Sequence, residues 1–359
     1  MGIHATGNDV EGNMTPRLFV IALAMLLSAS ASLANDVDSK PIVSPPQAQT
    51  EAVVPPLLDQ PLLMPPPLDV EELVVEAPEP RYVAPTLRDR IGRVWAPVYI
   101  NGKGPFRLVL DTGANSTAVV PLLAKRLGAD ETRTVKLLGA TGSAVVPMIK
   151  VDSIEVGDLW LGERHVAVVP DVFGGAEGVL GADGLSDKRI HIDFKNDQIS
   201  ILRANAPFRA LGFSRVPVKL RHGHLLMFDV KLAGVRTRAT LDTGAQATIG
   251  NKSLKAALSK KSQGVTNAVI GVTLDVQHGE TLFAPAVDIG DVSIRGMRVT
   301  FGDMYIFDAW KMSDEPALVI GMDIIGLLDT LVIDYKRREL HLKPRRAPDR
   351  QRLTERMTN

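Results

Sequence analysis

Two aspartates stand in the same short context 131 residues apart, Asp111-Thr112-Gly113-Ala114 and Asp242-Thr243-Gly244-Ala245. Each follows an apolar run, Leu108-Val109-Leu110 before the first and Ala239-Thr240-Leu241 before the second, so each carboxylate is expected at the end of a buried strand. Gly113 and Gly244 let the chain turn sharply there, and the small Ala114 and Ala245 let a second backbone approach. If the two turns face each other, the carboxylates meet. They cannot then both be charged near neutral pH: one pKa falls, the other rises, and the pair shares a proton. The ionised member can act as general base on a water molecule while the protonated member donates a hydrogen bond to a carbonyl oxygen. Amide hydrolysis needs both roles and neither metal nor cofactor. The chain has no cysteine and no His-Glu-x-x-His pattern, which removes thiolate chemistry, Cys-ligated zinc and disulfides.

The threonines beside the aspartates have a role in this picture. The hydroxyls of Thr112 and Thr243 are placed to hydrogen-bond across the axis between the turns and hold them in register, and Thr117 and Thr248 match each other as supports of the turns. Positioning such a pair requires two similar halves, and the sequence supplies them. The glycine of an upstream hairpin turn, Gly102, recurs as Gly234, and Leu138-Gly139 recurs as Ile270-Gly271. Further on, Val179-Leu180-Gly181-Ala182-Asp183 recurs as Val319-Ile320-Gly321-Met322-Asp323, and Ile192-Asp193-Phe194 as Ile333-Asp334-Tyr335. Landmarks in one order with a single insertion describe a tandem duplication of one lobe.

Within each half the texture is of short strands between glycine-bearing turns. Val94 to Ile100, a turn at Asn101-Gly102 and Phe106 to Leu110 predict a hairpin. Helical periodicity is confined to Pro121 to Ala129 and Lys252 to Lys261, so the expected class is all-β with few short helices. The expected division is residues 87–203 for the first lobe, 204–216 for a connection, 217–343 for the second lobe and 344–359 for a basic tail.

The N-terminus differs from both lobes. Arg17, the apolar run Leu18 to Leu27 and the small-residue exit Ser32-Leu33-Ala34 have the three parts of a secretory signal, so 1–34 is expected to be one, with Met14 standing where a more usual start would be. Export follows: periplasmic in a Gram-negative host, secreted otherwise. Ten strongly apolar residues are too few to span a bilayer comfortably, so no stable membrane insertion is expected. Residues 35–86 hold twelve of the 24 prolines and predict an extended linker; a pro-segment lying in a cleft is the other reading of its acidic patch. Lys+Arg and Asp+Glu both number 41, and this zero net charge gives no electrostatic reason to expect a nucleic-acid partner.

The strand-Asp-Thr-Gly-Ala-x-x-Thr unit, the glycine-bearing segment downstream and the later apolar-apolar-Gly resemble the retropepsin-like (retroviral-type) aspartic peptidases, most of all bacterial exported forms with both lobes on one chain. The resemblance spans about Arg90 to Leu342. It implies two β-barrel lobes about a pseudo-two-fold axis, active as a monomer, with a polypeptide substrate between them and Asp111 and Asp242 catalytic. It implies that Leu180-Gly181 and Ile320-Gly321 thread beside the two aspartate turns. It also implies flaps, hairpins closing over the substrate, at Gly139-Ala140-Thr141-Gly142 and at Gly271-Val272-Thr273. Pepsin-like relatives carry a flap tyrosine; neither segment here has one.

Other residues read as structural. Asp183 and Asp323 are expected to cap a following helical turn, Asp193 and Asp334 to be exposed strand residues, and His191 and His341 to occupy matching strand positions. The aromatic insertion Phe301 to Pro316 reads either as an extra core piece or as a lip over the cleft. Gly174 to Gly184 lacks the Gly-Lys-Ser/Thr ending of a phosphate loop. Two other function classes stay open beside the peptidase: an inactive exported peptide-binding module of the same fold, and a two-carboxylate glycosidase, for which stacking aromatics are few.

Overall fold

The structure is a computed structural model and describes residues 19–20, 24–27, 84–85, 93–157, 159–205, 208–258 and 265–345. The signal segment, the linker and the basic tail therefore fall largely outside the described residues. Those described within them are Phe19–Val20, Ala24–Leu27 and Ala84–Pro85, all strands, and Pro344 and Arg345 at the end of the last strand.

Each lobe is a curled sheet built on one plan. In the first, Trp95–Ile100 and Lys103–Leu110 form the expected hairpin, with the Asn101-Gly102 turn in the left-handed region at φ 52° and 68°. The second repeats this as Leu225–Leu232 and Val235–Leu241, turning at Ala233-Gly234. Burial alternates midway along the second strand of each hairpin, as in a sheet with one wet face, and the last three residues before each aspartate are buried on both faces. At the chain-terminal end of each hairpin a short apolar strand docks in parallel: Gly178–Leu180 beside Leu108 to Leu110, and Ala317–Ile320 beside Arg238 to Leu241. On the other side of that strand lies Ala118–Val119 in the first lobe and Ile249–Gly250 in the second. The helices are short, as expected. Pro121–Leu127 starts on a proline that needs no N–H partner and closes on Gly128 at φ 70°, and Lys252–Ala257 is capped by the Asn251 side chain. No helix among the described residues is long and apolar enough to cross a membrane.

A third sheet joins the halves. Its order is Ser214–Pro217, Glu339–Pro344, Leu328–Asp334, Lys188–Asp193, Gln198–Arg203, Ala84–Pro85, so two strands of the second lobe lie beside two of the first in one ladder. At its centre Lys188–Asp193 pairs antiparallel with Leu328–Asp334.

This sheet corrects two expectations. Asp334 is not an exposed strand residue: it is fully buried and accepts from Arg189 Nε at 3.0 Å, an ion pair between the lobes. A strand inside a sheet shared by two lobes has both faces covered, so alternation alone does not mark a wet side. Asp193 lies at a turn, where its Oδ1 accepts from the N–H groups of Lys195 and Asn196. His191 and His341 do not occupy matching positions either. His191 lies opposite Ser200 and Val332, while His341 lies opposite Val332, so the counterpart of His341 in the first lobe is Ser200.

Candidate active site

The two Asp-Thr-Gly turns meet face to face across the lobe boundary. Thr112 Oγ1 donates to the carbonyl of Leu241 at 2.8 Å and accepts from the N–H of Thr243 at 3.1 Å. Thr243 Oγ1 returns both bonds, donating to the Leu110 carbonyl at 2.7 Å and accepting from Thr112 N–H at 3.1 Å. All four groups are buried, so each bond replaces a polar group that would otherwise be stranded. This reciprocal lock requires a short side chain bearing a hydroxyl on each side.

The lock carries the carboxylates to the axis. Asp111 Oδ1 accepts from the N–H groups of Gly113 and Ala114 at 2.8 and 3.0 Å, and Asp242 Oδ1 from Gly244 and Ala245 at 2.9 and 3.0 Å. Each side chain is thereby fixed by its own turn, with its second oxygen left over. Both Oδ2 atoms are buried, and no other described residue donates to them. Asp111 lies against the opposite turn so closely that a Cβ on Gly244 would sit 2.4 Å from its carboxyl carbon. Burial is the main influence on both acids. It pushes Asp111 up to about 6 and Asp242 well above the ordinary carboxylate range, and the charge of Asp111 raises Asp242 further. The N–H groups of the turns and the Arg93 guanidinium pull Asp111 back down. Burial and the charge of the neighbouring carboxyl thus oppose ionising both acids at once.

Behind each turn is a second matched device. Thr117 donates to Asp183 Oδ1 through both its N–H (2.9 Å) and its hydroxyl (2.8 Å), and its Oγ1 accepts from Gly181 N–H. Thr248 does the same with Asp323 and Gly321, at 3.0, 2.7 and 3.1 Å. Asp183 and Asp323 thus clasp the threonines of the turns, and only Asp323 also accepts an N–H at the start of a helix, that of Ile324. The aspartate N–H groups are held by the same threaded strands, Asp111 by the Leu180 carbonyl and Asp242 by that of Ile320, both at 3.0 Å. Gly181 and Gly321 are required there, because a Cβ would lie 2.4 Å from Ser116 and 2.7 Å from Ala247.

Gly139 to Gly142 is the turn of the hairpin Glu131–Leu138/Ser143–Val151, and Val272 to Asp275 that of Val265–Gly271/Val276–Ile289. The two tips touch: Gly271 N–H donates to Thr141 Oγ1 at 3.0 Å. Phe301 to Pro316 serves as core. Met304, Ile306, Phe307, Trp310 and Met312 are buried in one cluster with Ala245 and Ile249. That cluster also takes in Leu138 and Ala140 of the opposite hairpin, and Ile306 N–H donates to the Ala140 carbonyl at 3.2 Å. The insertion is a core piece that also holds the tip of the first-lobe hairpin.

Three neighbours of the aspartates are not apparent in the motifs. Arg93 is wholly buried and lowers Asp111. Tyr335, in the turn just past the shared-sheet strand Leu328–Asp334, has its phenol raised by burial and then by the charge of Asp111. The imidazole of His224 is held below its usual range by burial and lies by the Gly113 carbonyl. The one available signal was Arg93: it ends the register that sets Trp95 opposite Val109, and so falls opposite Asp111.

Among curated proteins none matches the chain. The sequence model of the aspartyl protease family matches twice, over residues 96–183 and again over 228–324, once on each lobe and each time from the hairpin through the threaded apolar-Gly strand. The two matches together cover just over half of the 359 residues, and with this two-lobed all-β fold the chain belongs to the aspartyl protease family in its retropepsin-like form.

Proposed function

We propose that the chain is an exported endopeptidase that hydrolyses peptide bonds in an extended polypeptide held between its lobes. Asp111 and Asp242 are the catalytic pair. The reading rests on one observation above the rest: two identical turns, locked by reciprocal threonine hydrogen bonds, bring two buried carboxyls together with their outer oxygens unengaged. In the singly protonated pair the ionised member takes a proton from water as its oxygen adds to the scissile carbonyl carbon. The protonated member donates a hydrogen bond to the carbonyl oxygen. Collapse breaks the C–N bond, and the departing amine leaves with a proton from the pair. Thr112, Thr117, Thr243 and Thr248 with Gly113, Gly244, Ala114 and Ala245 hold the geometry, and the two hairpin tips exclude water.

Hydrolysis of a quenched fluorescent aliphatic peptide tests this. Asp111→Asn and Asp242→Asn should each lower kcat/KM by at least about 10³-fold while leaving the circular dichroism spectrum unchanged. A wild-type rate in either variant ends the shared-pair mechanism. The acid limb should lie well above the ordinary carboxylate range, with kcat/KM falling as pH drops through about 6 and the ionised acid takes up the second proton. A full rate at pH 4 would contradict that. Cell fractionation against a cytoplasmic marker enzyme tests export; co-fractionation with the marker would refute it.

A further inference from the structure

The two turns present their aspartates alike, so nothing in the turns themselves decides which acid holds the shared proton. Each Oδ1 accepts from two N–H groups, at 2.8 and 3.0 Å on Asp111 and at 2.9 and 3.0 Å on Asp242. Each aspartate N–H is held by its threaded strand at 3.0 Å, and both side chains are buried.

The difference lies on the strand behind. In the first hairpin Leu110 N–H donates to the Val94 carbonyl at 2.9 Å, and the next residue outward, Arg93, falls opposite Asp111. In the second, Met227 stands opposite Thr240, which puts Leu225 opposite Asp242. Both residues are wholly buried. Leu225 belongs to an apolar cluster with Met227, Ala245 and Trp310. Arg93 instead brings a guanidinium, which stays charged in proteins. The turns of the shared sheet repeat the contrast. Tyr335 N–H donates to the Lys188 carbonyl and Phe194 N–H to the Asp329 carbonyl, equivalent bonds in the repeat, so the phenol near Asp111 has a plain phenyl ring as its counterpart.

The groups that face Asp111 are therefore Arg93, Asp242, Tyr335 and, by the Gly113 carbonyl, His224. Burial holds the Tyr335 phenol above its usual range and the His224 imidazole below its own, so both favour the neutral form. Arg93 supplies the positive charge, and an opposite charge in a buried site favours the ionised acid. The shifts of the two acids run the same way, Asp111 up to about 6 and Asp242 well above the ordinary carboxylate range.

We propose that Arg93 breaks the symmetry of the pair, making Asp111 the ionised member that takes the proton from water and Asp242 the protonated member that faces the scissile carbonyl oxygen. This rests on the peptidase reading, which leaves the two roles unassigned. As the water oxygen bonds to the carbonyl carbon, its proton passes to Asp111 and the carbonyl oxygen takes that of Asp242. Breaking the C–N bond sends the Asp111 proton to the departing nitrogen and returns a hydroxyl proton to Asp242, so the resting order is restored. Arg93 touches neither water nor substrate in this scheme and acts through Asp111.

The test reads the two acids one at a time. With the aspartate carboxyls labelled with carbon-13, the signal of the remaining member in Asp111→Asn or Asp242→Asn is identified by its loss in the double variant and followed by NMR against pH. Asp111, alone in Asp242→Asn, should titrate below Asp242, alone in Asp111→Asn. Equal midpoints or the reverse order overturn the proposal, whether or not any Arg93 variant folds. Adding Arg93→Met to Asp242→Asn should raise the Asp111 midpoint by about one pH unit or more, while adding His224→Asn should leave it below that of Asp242. A midpoint that ignores the loss of Arg93 removes Arg93 from the scheme. In the otherwise wild-type chain Arg93→Met should move the acid limb of kcat/KM upward from about 6, whereas a purely structural role would lower the rate alike at every pH. Ordered titrations in a wild type that hydrolyses no peptide would sink the peptidase reading and keep the order of ionisation; hydrolysis with equal titrations would do the reverse.

Discussion

The aspartate turns and the flaps are two regions built from the same duplication, and they have kept very different amounts of it. In the turns the two copies agree bond for bond: Thr112 to Leu241 at 2.8 Å against Thr243 to Leu110 at 2.7 Å, and Gly113 to Asp111 at 2.8 Å against Gly244 to Asp242 at 2.9 Å. In the flaps they diverge. The first tip is Gly139-Ala140-Thr141-Gly142, closed by a 2.8 Å bond from Gly139 N–H to the Gly142 carbonyl; the second has Leu274 in the left-handed region at φ 64°. Only the second lobe carries the insertion that packs on a flap. The difference follows from what each region meets. At the axis each half must supply the same group to the other, so a change on one side is felt on both. Under the proposed function the hairpins hold a peptide, which has a direction and no two-fold symmetry, so its walls gain by becoming unequal.

The shared sheet offers the sharpest way to break the symmetry, because the pseudo-two-fold sets Arg189 and Asp334 against Thr330 and Asp193. One pairing is a buried ion pair and the other is not. Asp334→Ala would leave Arg189 charged in the interior without this carboxylate and should cost about 3–5 kcal/mol in urea unfolding. Asp193→Ala, at the equivalent position, removes turn hydrogen bonds at the surface and should cost about 1 kcal/mol or less. Equal losses would show that the ion pair does not brace the lobes.

The threonine lock makes the opposite demand. Thr112→Val keeps the shape but strands the Leu241 carbonyl and the Thr243 N–H, two buried groups at about 1–3 kcal/mol each, so a loss of about 2–4 kcal/mol is expected. Thr243→Val strands the Leu110 carbonyl and the Thr112 N–H and should lose the same. Serine at either position keeps the hydroxyl and should restore most of the stability. A difference above about 1 kcal/mol between the valine variants would mean that the lock is not reciprocal in solution.

What was legible in the sequence follows the same division. The Asp-Thr-Gly turns, the threonines beside them and the glycines of the threaded strands are constrained by steric and hydrogen-bond requirements acting within a few residues. Their spacing therefore gave the duplication, the all-β class and the residues that the structure brings together. His224 and Tyr335 reach the first aspartate turn from the second lobe, which no short window records, and Arg93 is signalled only by the register of the first hairpin. Asp334 was misread for that reason, since its strand has a period of two but no wet face. The apolar run at the N-terminus reads as a signal because composition and length are all that a signal requires. Its described parts pair with residues more than a hundred positions away, Phe19–Val20 with Leu137 and Leu138 and Ala24–Leu27 with Ala268 to Gly271.

The smallest expected effect bears on the pair itself and comes from stability rather than turnover. Both aspartates have folded pKa values raised above the 3.8 of an unperturbed side chain, chiefly by burial. Below that value folded and unfolded chains are both protonated and the pair costs nothing. As pH rises past it the unfolded chain releases protons that the folded one retains, so stability falls with pH until the folded groups ionise in turn, Asp111 at about 6 and Asp242 higher. Asn at either position removes one titrating group and the repulsion between the two. Asp111→Asn and Asp242→Asn should therefore melt a few degrees above the wild type at pH 8, with the gap closing toward pH 4 in scanning calorimetry. A gap that widened on acidification would mean that the carboxylates are stabilised as anions by their turns, and the shared proton would have no physical basis.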